Sequence, residues 1–163
     1  MSDTLLLVDD EEGIRKFLGL LLQDMGYAVE TASNGDEALR LLDAAAPDIV
    51  LTDIKMPGMD GIELLRRIKA HSPETEVVMI SGHGDLELAI KSLQLEAADF
   101  VTKPVNDEIL AAALRRVSEK LAMKRQIKAY TENLEEMVRD KSARVLELER
   151  ELAATQVVDA VCR

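Results

Sequence analysis

Through the first 121 residues, short apolar runs alternate with longer stretches whose apolar residues recur three and four positions apart. Thr4-Leu5-Leu6-Leu7-Val8 is a continuous apolar run and stops at Asp9-Asp10-Glu11-Glu12. That is the signature of a strand buried on both faces. Ile14, Phe17, Leu18, Leu21, Leu22 and Met25 then mark a helix ended by Gly26. The pattern repeats with a strand at 27–32, a turn and cap at Ser33-Asn34-Gly35-Asp36, and a helix carrying Ala38, Leu39, Leu41 and Leu42 that closes before Pro47. A third strand at 49–52 runs into Asp53 and a Met56-Pro57-Gly58 turn, with a helix on Ile62, Leu64, Leu65 and Ile68 beyond it. A fourth strand at 77–80 leads through Ser81-Gly82-His83-Gly84 to a helix at 85–95, and a short fifth strand at 100–102 precedes Lys103-Pro104. Five strands in strict alternation with helices predict an α/β fold, one parallel sheet covered on both faces. At this length the flavodoxin-like order 2-1-3-4-5 fits, with its crevice between the first and third strands.

From Asn106 onward neither Gly nor Pro occurs, and one long C-terminal helix is expected. Ile109, Leu110, Ala113, Leu114, Val117 and Leu121 give its first part a sheet-facing stripe. Beyond Leu121 the stripe changes phase and runs through Met123, Ile127, Tyr130, Leu134, Met137, Lys141, Val145, Leu148, Leu152 and Thr155. The steps alternate three and four except for two successive fours around Lys141, a coiled-coil seam broken by a stutter. Such a seam calls for a partner, most simply a second copy in parallel through residues 123–155. The expected organisation is therefore a domain at 1–121 and a coiled-coil helix at 122–163. The apolar spacing still runs at 157–163, which is the expectation for a fragment that continues into an output domain.

The formal net charge of −11 is uneven. Residues 121–163 hold eight basic and eight acidic residues, so the excess lies in residues 1–120. An acidic domain disfavours direct contact with nucleic acid or an anionic membrane, and suits carboxylates gathered around a divalent cation. No apolar run approaches the ~20 residues of a membrane span. The acidic N-terminus is unlike a secretory signal, and the single cysteine, Cys162, forms no internal disulfide. A cytoplasmic protein is expected.

The loops at the carboxyl ends of four strands carry Asp9 and Asp10, Asp53, Ser81, and Lys103. Three carboxylates in one mouth repel unless a cation sits among them, and hard oxygen ligands suit Mg²⁺ (or Mn²⁺). A hydroxyl and an ammonium opposite them can hold phosphoryl oxygens. The set describes a carboxylate that accepts phosphate, with Asp53 as nucleophile and Ser81 and Lys103 as clamps.

Leu7-Val8-Asp9-Asp10-Glu11, Leu51-Thr52-Asp53-Ile54-Lys55-Met56-Pro57, Met79-Ile80-Ser81-Gly82 and Thr102-Lys103-Pro104 occur in this order and at this spacing. In this the chain resembles the response-regulator receiver domains of two-component signalling, over about residues 4–121. The resemblance implies that Asp53 is the phosphoacceptor, fed by a sensor histidine kinase or phosphotransfer protein. It implies that the Asp10 and Asp53 carboxylates and the Lys55 backbone carbonyl bind Mg²⁺, with Asp9 assisting. Ser81 and Phe100 would form the switch pair, Lys103 the phosphate clamp, and the Lys103–Pro104 peptide would be cis. A receiver catalyses only its own phosphorylation and dephosphorylation, so no enzyme acting on other substrates is expected. Residues 134–140 resemble signalling-helix linkers that precede an output domain, such as a c-di-GMP phosphodiesterase of the HD type, a histidine kinase or a sensor module.

Single residues have plainer readings. Glu11 and Glu12 suit a helix start, Ser81 a turn, Phe100 a core and Lys103 a solvated surface. Their joint occurrence at four strand ends favours the site. His71 has no acidic partner in sequence and is expected at the surface, whereas His83 lies beside the site. By resemblance Lys55 and His83 sit at the mouth and tune phosphoryl lifetime; neither is suited to orient a hydrolytic water, so a long lifetime is expected. Two other functions compete. A haloacid-dehalogenase-like phosphohydrolase would need an acidic acid/base two residues after Asp53, where Lys55 stands. An idle receiver-fold scaffold would not need Asp10, Asp53, Ser81 and Lys103 together.

Overall fold

The computed structural model describes residues 3–162, and side chains through residue 156. Expectations that rest on the side chains of 157–163, Cys162 among them, fall outside those residues. The elements follow in the order β1 (Thr4–Val8), α1 (Glu12–Asp24), β2 (Ala28–Ala32), α2 (Gly35–Ala45), β3 (Ile49–Asp53), α3 (Gly61–His71), β4 (Glu76–Ser81), α4 (Leu86–Gln94), β5 (Asp99–Thr102) and α5 (Asp107–Cys162). The sheet is parallel throughout, in the order β2-β1-β3-β4-β5. The expected α/β class and strand order hold.

The burial explains why the strands were legible. β1, β3 and β4 are sandwiched, so their side chains are apolar on both faces. Leu6, Val8, Val50, Val77 and Met79 pack with Leu42, Leu64, Leu65, Ile68 and Ala89, beneath α2, α3 and α4. Leu5, Leu7, Ile49, Leu51, Val78 and Ile80 face the other way, against Leu18, Leu22, Leu110 and Leu114 of α1 and the first turns of α5. Each of these leucine, isoleucine, valine and methionine side chains contributes about 1.5–3 kcal/mol on burial.

Register fixes the site. Val8 pairs with Thr52, and Asp53 with Ile80, so three strands end at one level with Asp9, Asp53 and Ser81 just at their carboxyl ends. Helix caps pin the connections. Asn34 Oδ1 accepts from the Glu37 amide at 2.8 Å, and Glu37 Oε2 reaches back to the Ser33 amide and hydroxyl. Asp60 Oδ1 accepts from the Glu63 amide at 2.8 Å to start α3. Asn106 Oδ1 accepts from the amides of Glu108 and Ile109 at the start of α5.

Several details differ from the sequence reading. Ile109, expected on the sheet-facing stripe of α5, is 56% exposed, and β5 begins at Asp99, one residue early. β4 begins at Glu76, one residue early, because a fully buried glutamate is tolerated there as the partner of Lys120 Nζ at 3.2 Å. Phe17 lies outside the buried stripe of α1 at 62% exposure, as Leu20 does. His71 is exposed as expected, but its Nε2 meets Asp43 Oδ1 at 2.5 Å, a partner distant in sequence.

Residues 122–163 form a second unit. Within it, Met123, Ile127, Tyr130, Leu134, Met137, Val145, Leu148 and Leu152 are all exposed in the single chain. No helix among the described residues is long and apolar enough to cross a membrane.

Candidate phosphoacceptor site

Asp53 ends β3, and its carboxylate is nearly buried. Gly61 allows this placement. A Cβ there would fall on the Asp53 carbonyl oxygen and close to Ile54 Cα, so only glycine lets the start of α3 pass so near. The Gly61 amide uses that proximity to donate to the Ile54 carbonyl at 2.7 Å.

Asp9, Asp10 and Asp53 converge. One carboxylate oxygen of each lies within 4.8 Å of the others, with Asp9 and Asp53 buried and Asp10 exposed. Asp9 Oδ1 accepts from the Glu11 amide at 2.9 Å, while its buried Oδ2 has no hydrogen-bond partner. Burial pushes the Asp9 carboxyl up, against the Glu11 amide and with the repulsion of Asp53 and Asp10. A buried, unpartnered oxygen beside two more carboxylates fits a hard divalent cation. Asp9, Asp10 and Asp53 would hold it; the Lys55 backbone carbonyl is a ligand by the resemblance alone, and the Lys55 ammonium is turned to Asp85.

Lys103 closes the opposite side. Its Nζ donates to Asp53 Oδ2 at 2.7 Å. Burial works to lower the Lys103 ammonium, but the bond to Asp53 and the charges of Asp53 and Asp9 outweigh it and hold the group charged beyond its ordinary range. The Lys103 amide donates to the Ser81 carbonyl at 2.8 Å, and the Lys103–Pro104 peptide is cis. The buried Ser81 hydroxyl donates to the Val101 carbonyl of β5 at 3.4 Å. Phe100, half-buried on β5, packs against the cluster under α2–α4. His83 is exposed on the loop after β4.

Sequence reasoning missed Asp85. Its carboxylate is 3% exposed, and Oδ1 lies 2.8 Å from Lys55 Nζ as an ion pair. Apart from that ion pair, Oδ1 has no hydrogen-bond partner. Oδ2 accepts from the Gly82 amide at 2.9 Å. Asp85 read as an ordinary helix start, and nothing in the sequence says that its carboxylate turns back to the site.

A buried aspartate at a strand end, two further carboxylates beside it and a lysine on its own oxygen form one charged site at the carboxyl edge of a doubly wound parallel sheet. The sequence profile of the response regulator receiver domain matches residues 5–115, and the chain belongs to that family. It is 39% identical over 130 residues to the nitrogen assimilation regulatory protein NtrX of Azorhizobium caulinodans, covering 78% of this chain and 29% of that protein. To the DNA-binding transcriptional regulator NtrC of Salmonella typhimurium it is 40% identical over 113 residues, covering 69% of this chain and 24% of that one. The crystal structure of the NtrX receiver domain from Brucella abortus superposes with a TM-score of 0.68 at 40% identity, over 71% of this chain and 98% of that chain. The chain thus spans less than a third of the length of these curated relatives.

Proposed function

We propose that the chain is a phosphorylation-switched signalling module in which Asp53 takes a phosphoryl group from a sensor histidine kinase or phosphotransfer protein. The observation that carries this is the buried Asp53 carboxylate, held by Lys103 Nζ on one oxygen and set against Asp9 and Asp10. An Asp53 carboxylate oxygen attacks phosphorus; the new O–P bond forms as the P–N bond of the donor phosphohistidine breaks, and the leaving imidazole nitrogen keeps the electron pair. Lys103 offsets charge on the phosphoryl oxygens. Asp9, Asp10, Asp53 and the Lys55 carbonyl would hold Mg²⁺ or Mn²⁺, which would supply further charge neutralisation. The chain turns over no other substrate: it catalyses its own phosphorylation and dephosphorylation. Lys55 and His83, at the mouth, set how long the phosphoryl group survives.

The signal leaves through the switch pair. Ser81 turns from the Val101 carbonyl to a phosphoryl oxygen, and Phe100 rotates inward, a move that leaves no hydroxyl to desolvate. The output element is the helix beyond residue 121, whose exposed seam dimerises in parallel through residues 123–155. This chain works in the cytoplasm and contacts neither nucleic acid nor membrane directly. Incubation with Mg²⁺ and acetyl phosphate, followed by intact mass, tests the phosphoacceptor. One added phosphoryl group, lost in Asp53→Asn, is the expected result; no addition, or steady turnover to free phosphate without a stable adduct, overturns it.

A further inference from the structure

After α1, the helices α2 and α3 each begin with a side-chain cap, and α4 does not. Asn34 and Asp60 have extended backbones and accept from the amide three residues on. Asp85 holds the corresponding position before α4, but its ψ is 12° and its side chain makes no cap bond. Aspartate is among the best residues for that task, and forgoing it leaves the first amides of α4 without a side-chain acceptor. The carboxylate is instead spent backwards, on the Gly82 amide and the Lys55 ammonium. These contacts join the loop after Asp53 to the loop after Ser81.

Resting on the reading of Asp53 as phosphoacceptor, we propose that Asp85 is a positioning residue that holds the Lys55 ammonium until a phosphoryl group on Asp53 claims it, and that the released Asp85 then caps α4. Lys55 stands two residues from Asp53 and is 68% exposed, so its long stem is free to swing. Asp85 offers it one negative charge. A phosphoryl group on Asp53 offers roughly 1.5 to 2 and three acceptor oxygens. Asp85 also feels the Lys103 charge, which places it within electrostatic reach of the site. Once Lys55 leaves, a buried carboxylate is left with a single hydrogen bond, and turning to the free amides of Glu87 and Leu88 restores its partners. The exchange couples chemistry at Asp53 to the start of α4 through one cation with two competing anions.

The coupling is reciprocal, so weakening the grip of Asp85 must tighten the hold on a phosphoryl analogue. Calorimetric titration of the full chain with beryllofluoride in excess Mg²⁺ reads this directly. Asp85→Asn should tighten binding roughly two- to fivefold, the size of an ion pair with one exposed partner. In a Lys55→Met background the same change should have no effect. Equal tightening in both backgrounds would mean simple repulsion and would overturn the proposal. Amide exchange supplies the readout that a merely structural role would not move. Lys55→Met and beryllofluoride should each slow exchange at Glu87 and Leu88, because both free Asp85 to cap. Faster exchange in Lys55→Met would equally overturn it. Should Asp53→Asn bind the analogue as well as the wild type, the phosphoacceptor reading fails and takes this inference with it; Asp53-dependent binding with no difference between backgrounds removes the inference alone.

Discussion

Asp9 shows what the site costs the fold. Its carboxyl is buried, one oxygen has no partner, and burial raises its proton affinity above that of the unfolded chain. A carboxyl raised in this way destabilises the fold above its folded pKa, and the penalty is relieved as pH falls through that pKa toward the unfolded value. Asp9→Asn should therefore raise thermal stability in metal-free buffer at neutral pH, by roughly 1–2 kcal/mol, with the gain vanishing near pH 4. Thermal melts across pH check this; a gain that persists unchanged at pH 4 would contradict it. Lys103→Met should slow phosphorylation by acetyl phosphate roughly a hundredfold, as loss of one charged stabiliser does, while leaving Asp53 chemically intact. Timed intact-mass measurements check the rate. At this scale the sequence was generous, because strand ends announce which residues share an edge. Asp9, Asp10, Asp53, Ser81 and Lys103 could be listed from order and spacing. Asp85 could not, since a cap position says nothing about where the side chain turns.

At the scale of elements, the parallel strands were legible because burial on both faces writes an unbroken apolar run. Boundaries were less so: Glu76 belongs to β4 although its charge argued against it, since Lys120 lies a long way down the chain. Phe17 fits the helical spacing of α1 but faces out, because spacing alone does not say how wide the buried face is. The link between β3 and α3 depends on Gly61. Gly61→Ala would push a methyl group into the Asp53 carbonyl, which backbone cannot evade. A loss of about 1–3 kcal/mol in denaturant unfolding is expected, with slower phosphorylation as Asp53 is displaced. Unchanged stability would mean that α3 starts farther from β3 than described. The seam beyond residue 121 carries its own test. Leu148→Asp should shift sedimentation from dimer to monomer while the receiver fold keeps its melting temperature. A monomeric wild type would refute the seam as a partner surface.

For the whole molecule, the apolar stripe changes phase near residue 121, and the chain has two compact units, residues 1–121 and 122–163. The partner of the second unit is not written in one chain, because an exposed stripe specifies burial and not what buries it. We propose that the stutter at Lys141 lets that stripe pair in two registers of similar energy, the kind of bistable element that switching needs. Cysteines introduced singly along 127–152, with Cys162 removed, should cross-link in a different pattern once Asp53 is phosphorylated. A one-residue insertion near Ser118 should abolish that difference and leave phosphorylation untouched. An identical pattern with and without phosphate would reduce the helix to a passive dimer handle. All of this depends on where the phosphoryl group goes. Treatment with acetyl phosphate and Mg²⁺, reduction with borohydride and peptide mass mapping locates it, because an aspartyl phosphate is reduced to homoserine. Homoserine at position 53 and nowhere else, absent when Mg²⁺ is chelated, is the predicted result. An unreduced Asp53, or label on another residue, would contradict it.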